Sequence, residues 1–252
     1  MKKQPTPKSK SEIPTFTKEK PKKITVKFFL HTSVQPEVEG KQKRYPLYML
    51  ITYNRKNTML RSYYGRYYKD LKEIEKVHYP GLLDLEERVV QKSISYEVSK
   101  QKEVVDLKGL HKKYVKYCIG IDTLLSRYLK NVLWLAVIRS EPQEYKRGLN
   151  FSDPDLRFET IYEMCSKLYP DLDKLLSKDF QAEVQIYEVF MKRYQGAFFQ
   201  YSFPTVIEWL DGSVKQEYTH QLEKMNKGNQ VLIQKSMDFI QKIVDSSLSE
   251  LW

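Results

Sequence analysis

The chain has 252 residues, 41% of them hydrophobic and 13% aromatic, with a formal net charge of +11. That composition supports one large folded domain or two small ones and excludes a wholly disordered chain. The longest apolar run, Val132 to Ile138, is far shorter than a bilayer span, and no apolar stretch follows Lys2 and Lys3, so no membrane span or secretory signal is expected and the cytoplasm is the expected location.

The charge is unevenly placed. Residues 1–23 carry +6, residues 24–40 carry −1, residues 41–69 carry +8 with no acid at all, and residues 70–252 carry −2. The whole positive excess therefore lies in the first 69 residues, and a polyanionic partner would engage that end. Residues 1–23, rich in Lys, Pro, Ser and Thr, bury too little surface to offset their chain entropy and are expected to form a disordered basic arm.

From Ile24 the pattern alternates. "ITVKFFLHTSV" reads as a strand, enriched in β-branched and aromatic residues. "VQPEVEGKQKR", with Pro36 and Gly40, reads as a loop. "YPLYMLITYN" reads as a second strand, with Leu47, Met49, Ile51 and Tyr53 on one face and Tyr48, Leu50 and Thr52 on the other. "NRKN" at 54–57 reads as a turn and "TMLRSYY" as a third strand closed by Gly65. On that third strand Met59, Arg61 and Tyr63 are expected to share a face.

Helical periodicity follows. It covers 82–104 and 107–118, then 123–138 with Asp122 as the expected N-cap. Residues 141–155, with two prolines and a glycine, break the pattern and mark an internal sub-boundary. Beyond it "LRFETIYEMCSKLY" and "LDKLLSKDFQAEVQIYEVFMKRY" read as amphipathic helices, and the final 24 residues carry an apolar stripe ending at Leu248. "GAFFQYSFPTVIEWL" is open between strand and helix. The expected fold class is α+β: a small three-stranded antiparallel sheet at the N-terminus, then a mainly α-helical body. The expected divisions are the arm at 1–23, a sheet-plus-helix unit at 24–105 and a helical unit at 106–252.

Catalytic motifs are sparse. The chain contains no phosphate-binding glycine loop, no dinucleotide fingerprint and no nucleophile elbow. Cys118 and Cys165 sit far apart in apolar surroundings and read as buried free thiols, and the four histidines have no Cys or His at metal-ligand spacing, so no metal or cofactor is expected. The nearest carboxylate cluster is Asp153, Asp155 and Glu159, with Asp171, Asp173 and Lys174 beyond it. Asp153 and Asp171 read more simply as helix caps, and the chain is expected not to be an enzyme.

Residues 24–70 resemble the N-terminal arm-DNA-binding domain of phage-type tyrosine recombinases from Bacteroidota mobile elements. The residues that carry the resemblance are Phe28–Leu30, Pro46–Tyr48, Ile51–Asn54, the basic pair Arg55 and Lys56, and Gly65. The resemblance implies a three-stranded sheet that grips duplex DNA. Arg55 follows Asn54 where that family often has glycine, and no histidine here is followed three residues later by arginine, as the recombinase catalytic domain requires. Binding without strand exchange is what remains.

The expected function is a duplex DNA-binding accessory protein of a mobile element, plasmid or phage. Phosphates would be met by Lys41, Lys43 and Arg44 before the second strand, Arg55 and Lys56 in the turn, and Arg61 and Arg66 beyond it, with Tyr48 and Tyr63 donating hydroxyls. Aromatic rings among cations can also stack the bases of RNA or single-stranded DNA, which is the alternative to duplex binding. The competing expectation is a protein-interaction or scaffold subunit whose near-neutral helical body binds a protein partner.

Overall fold

The computed structural model describes residues 23–77, 81–100, 105–140, 151–153, 156–194, 203–225 and 229–249. The expected arm at 1–23 lies outside them but for Lys23, and so does most of the expected sub-boundary at 141–155. The fold is α+β, an N-terminal antiparallel sheet followed by a mostly helical body. The sheet has five strands rather than three: β1 (Thr25–Leu30), β2 (Glu37–Glu39), β3 (Gln42–Tyr53), β4 (Lys56–Arg61) and β5 (Tyr67–Tyr68).

The long strand β3 is the spine. It pairs antiparallel with β1 from Leu47 to Thr52 and with β4 from Tyr48 to Tyr53. Its first residues pair with β2, and Tyr45 and Pro46 pair with β5. β2 falls within the segment expected to be a loop. Gly40, at φ 62°, makes the tight return, and Glu37 and Glu39 come to lie across from Arg44 and Gln42. A strand of three residues rich in Glu carries no periodic signal; pairing with β3 creates it. β5 is two residues long and equally silent.

β3 and β4 are joined by the two-residue turn Asn54–Arg55, both at positive φ (50° and 62°). This is the backbone of a type I′ hairpin, whose twist matches that of the flanking strands. Past Arg61 the chain leaves the sheet for five residues and returns at β5 beside the same strand. Gly65 is required in this excursion, since a Cβ there would stand 2.5 Å from Ser62 Oγ and 2.9 Å from Leu47 Cβ.

Ten helices follow among the described residues: α1 (Leu71–Val77), α2 (Leu82–Lys100), α3 (Leu107–Cys118), α4 (Ile121–Ser140), α5 (Phe158–Leu168), α6 (Leu172–Leu175), α7 (Lys178–Tyr194), α8 (Val206–Leu210), α9 (Ser213–Met225) and α10 (Gln230–Ser249). Several local expectations are corrected. Asp122 lies in the first turn of α4 rather than capping it, because Ile119 and Ile121 are tied by backbone bonds to Val206 and Pro204. Asp153 does not cap α5: Arg157 holds that position, and the Phe158 amide donates to Ser126 Oγ at 3.0 Å. Asp171 stands at the N-cap of α6 but makes no capping bond and pairs with Lys174 at 2.7 Å. The stretch 172–194 divides into α6 and α7 around Leu176 and Ser177.

The inner face of the sheet and the helices share one core. Met49, Ile51 and Leu60 join Val89 and Ile94 of α2, Leu110 and Tyr114 of α3, Leu129 of α4, Phe190 of α7, Trp209 of α8 and Val244 of α10 in a continuous buried cluster. A second, small cluster of Leu47, Tyr68 and Ile74 fastens α1 to the sheet. Both cysteines are buried and unbridged.

Candidate nucleic-acid interface

The parity of β3 decides what faces water. Odd residues from Leu47 to Ile51 enter the core, so Tyr48, Leu50 and Thr52 face outward. Register then places Phe29, Lys27 and Thr25 beside them on β1, and Arg61, Met59 and Asn57 beside them on β4. This outer face stays open: Met59 is 53% exposed, and Lys27 and Arg61 are exposed. Tyr48 and Arg61 are direct cross-strand partners. The Arg61 guanidinium lies over the Tyr67 ring, 5.5 Å from its centroid. Phe29, His31 and Tyr48 form a ring cluster with centroids 4.8 to 6.2 Å apart.

The nine residues expected to meet phosphate divide into groups. Tyr48 and Arg61 sit together on the open face. Arg55 and Lys56 occupy the β3–β4 hairpin tip and are exposed. Lys41 and Lys43 are exposed at the opposite end of β3, on the β2–β3 hairpin. Arg66 is exposed beside β5, its backbone amide donating to the Tyr68 hydroxyl at 3.1 Å. Arg44 is engaged within the fold, its guanidinium 2.8 Å from Glu39 and 2.9 Å from Glu73, so its charge is already balanced.

Tyr63 departs from the face of Met59 and Arg61. β4 ends at Arg61, and in the excursion the Tyr63 amide is fixed to Glu86 while its side chain stays 41% exposed, its partial burial raising the hydroxyl above its ordinary range. The anchor of this excursion is Glu86 on α2. Its buried carboxylate accepts from the Ser62 hydroxyl at 2.6 Å, the Tyr63 amide at 2.6 Å and the Tyr114 hydroxyl at 2.5 Å. Tyr64 adds a bond from its hydroxyl to the Cys118 carbonyl at 3.1 Å.

The chain matches no family model, no curated protein and no solved structure.

Lys27, Phe29, His31, Met59 and Tyr67 share the open face and were not among the expected contacts. The alternation of "TVKFFL" alone places Lys27 and Phe29 on one side; only the register with β3 says that this side is the one bearing Tyr48 and Arg61. Of the carboxylate cluster, Asp153 and Glu159 fall within the described residues. Asp155 lies outside the described residues, and the Asp153 carbonyl is used by Lys130, whose ammonium straps it at 2.9 Å and Leu156 at 3.0 Å. Glu159 instead looks toward Asp122 and Tyr187, whose acidities it lowers together with burial, the larger cause. No group of three or more His, Cys, Asp or Glu that could hold a metal occurs among the described residues, and none of their helices is long and apolar enough to cross a membrane.

Proposed function

We propose that this chain is a non-enzymatic duplex DNA-binding protein, an accessory factor of a mobile element, plasmid or phage, acting in the cytoplasm. The open outer face of the sheet is its binding surface. The observation that carries this reading is the Tyr48–Arg61 cross-strand pair, flanked by Lys27 and Tyr67 on the same uncovered face, with acid-free cationic tips at Arg55 and Lys56. Guanidinium and ammonium groups neutralise phosphates and release counterions, while tyrosine hydroxyls donate to phosphate oxygens. The resemblance of residues 24–70 to a recombinase arm-binding domain supports the same assignment. Arg44 is left out of the contact set because Glu39 and Glu73 already hold it.

A second reading is favoured by the Phe29–His31–Tyr48 rings, which offer stacking platforms to unpaired bases. Fluorescence anisotropy of the full chain with a duplex and with each of its separated strands decides between them. Tighter binding of the duplex, lost in Arg61→Ala and weakened in Tyr48→Phe, supports the first reading. Preference for a single strand, insensitive to Tyr48→Phe but lost in Tyr48→Ala, supports the second. Failure to bind any of these probes would leave the sheet without a nucleic-acid role. The helical body is proposed to carry the contact with a protein partner, since Trp134 and Leu135 of α4 stand exposed on it.

A further inference from the structure

The open face of the sheet carries groups that phosphate contact does not use. Phosphates are met by cations and hydrogen-bond donors, and such contacts carry no base information. Leu50 and Met59 can supply neither, yet they are direct cross-strand partners in the middle of that face. Their row, completed by Lys27 of β1, lies between the row of Tyr48 and Arg61 and the row of Thr52 and Asn57. The three rows hold two cations and no acid.

A lone exposed apolar side chain is ordinary on a protein surface. Here two adjoin across strands on a cationic face, and the core does not require them: Leu60 enters the core cluster, while Met59 stays outside it at 53% exposure. Asn57, two residues along the same strand and on the same side, is exposed as well.

The β3–β4 hairpin is a two-stranded ribbon, the β element that the roughly 12 Å major groove admits. In that groove an A·T pair shows the thymine C5 methyl beside adenine N7 and the N6 amino group. Apolar side chains meet the methyl, and asparagine bridges N6 and N7. A G·C pair offers the acceptors O6 and N7, which suit arginine or lysine. Arg61 lies over the Tyr67 ring, and Lys27 stands on β1, outside the ribbon.

We propose that the β3–β4 ribbon reads A·T pairs in the major groove. Met59 and Leu50 pack on thymine methyls, and Asn57 bridges adenine N6 and N7. Lys27 is left for the phosphates along the groove edge, which fits the duplex's charge to the absence of acids in these rows. Two residues of extended chain span roughly 6.8 Å, so Asn57 and Met59 meet bases within one short A·T tract. The assignment rests on the duplex-binding reading of the sheet and adds to it which base pair is chosen.

Fluorescence anisotropy of the full chain at fixed salt tests it, with four duplexes of equal length. They are alternating A·T, alternating G·C, and the A·T sequence with every thymine replaced by deoxyuridine or every adenine by 7-deazaadenine. Deoxyuridine removes only the methyl, and 7-deazaadenine only the N7 acceptor. The A·T duplex binds about fivefold or more tighter than the G·C duplex. Deoxyuridine loses about fourfold, the transfer value of one buried methyl group, and 7-deazaadenine about threefold, the value of one hydrogen bond. Met59→Ala abolishes the deoxyuridine effect and keeps the 7-deazaadenine effect; Asn57→Ala does the reverse. Urea midpoints equal to the parent's show that both variants fold. Equal affinity for A·T and G·C, or base-analogue effects that persist in both variants, overturns the assignment and leaves the duplex reading standing. Failure to bind any of the four duplexes overturns both.

Discussion

The Tyr114 hydroxyl donates to Glu86 at 2.5 Å, in a site where the glutamate side chain is 0% exposed. The same carboxylate gathers Ser62 and Tyr63, so a single side chain of α2 binds α3 to the excursion that leaves the sheet. Glu86→Ala strands three donors in a dry site and is expected to destabilise the fold by about 3 kcal/mol or more, read as a fall in the urea midpoint. Burial, the largest cause, raises the Glu86 carboxyl above its ordinary 4.5, against the lowering effect of bonds from Ser62 and Tyr114. The folded state thus holds the proton more tightly than the unfolded chain does. Its contribution favours folding most below pH 4.5 and declines as pH rises through the folded value. Glu86→Gln removes that titration, so the stability difference between parent and variant should vary across this window and be constant above it.

Gly65 is the other requirement of the excursion. Its amide donates to Ser62 Oγ at 2.7 Å, and a methyl group there would strike that same hydroxyl and the Leu47 Cβ. Gly65→Ala must push Ser62 off Glu86 or move Leu47 in its cluster. A cost of about 1–3 kcal/mol is expected from such overpacking, measured by thermal or urea unfolding. Stability equal to the parent would mean that the backbone shifts freely there.

Arg55 permits stability and binding to be separated. It sits at φ 62°, where an L side chain is strained by about 1–2 kcal/mol and glycine is not. Arg55→Gly is expected to raise the unfolding midpoint while lowering affinity for duplex DNA. A variant that is both more stable and a weaker binder cannot owe its weakness to misfolding. If affinity is unchanged, the Arg55 side chain does not touch the ligand.

The strands β1, β3 and β4 were legible because one face of each packs on the core, through the partly buried Val26 and Phe28 of β1, Leu47, Met49 and Ile51 of β3 and Leu60 of β4, which imposes a period of two that survives in "TVKFFL" and "YPLYMLITY". α3 was legible to the residue, with Asp106 capping it through the Lys108 amide at 3.0 Å. β2 was not, since its three residues are all exposed and it is defined by the Gly40 return, its antiparallel pairing with β3 and the Arg44–Glu39 ion pair. α8 was left open between strand and helix although a deciding signal was present: Thr205 and Glu208 form a reciprocal capping box three residues apart. The site was legible in charge but not in direction. Composition counts Arg44 with Arg55, whereas only tertiary pairing shows that Glu73, 29 positions later, has balanced the first and left the second exposed.

The two cationic tips stand at opposite ends of β3. Eleven steps of extended chain separate Gln42 from Tyr53, about 37 Å at roughly 3.4 Å per residue. One turn of duplex DNA advances about 34–36 Å, so both tips reach phosphates of one duplex only when it is about a turn long. Affinity should therefore climb steeply with duplex length to about one turn and flatten beyond it. Arg55→Ala with Lys56→Ala should reduce the magnitude of the log K against log salt slope by about 1.8, at about 0.9 per lost phosphate contact. Lys41→Ala with Lys43→Ala should do the same independently. Point variants are the right tool, because removing residues 24–69 would also take Met49, Ile51 and Leu60 out of the core. A slope unchanged in both double variants would place the duplex elsewhere on the molecule.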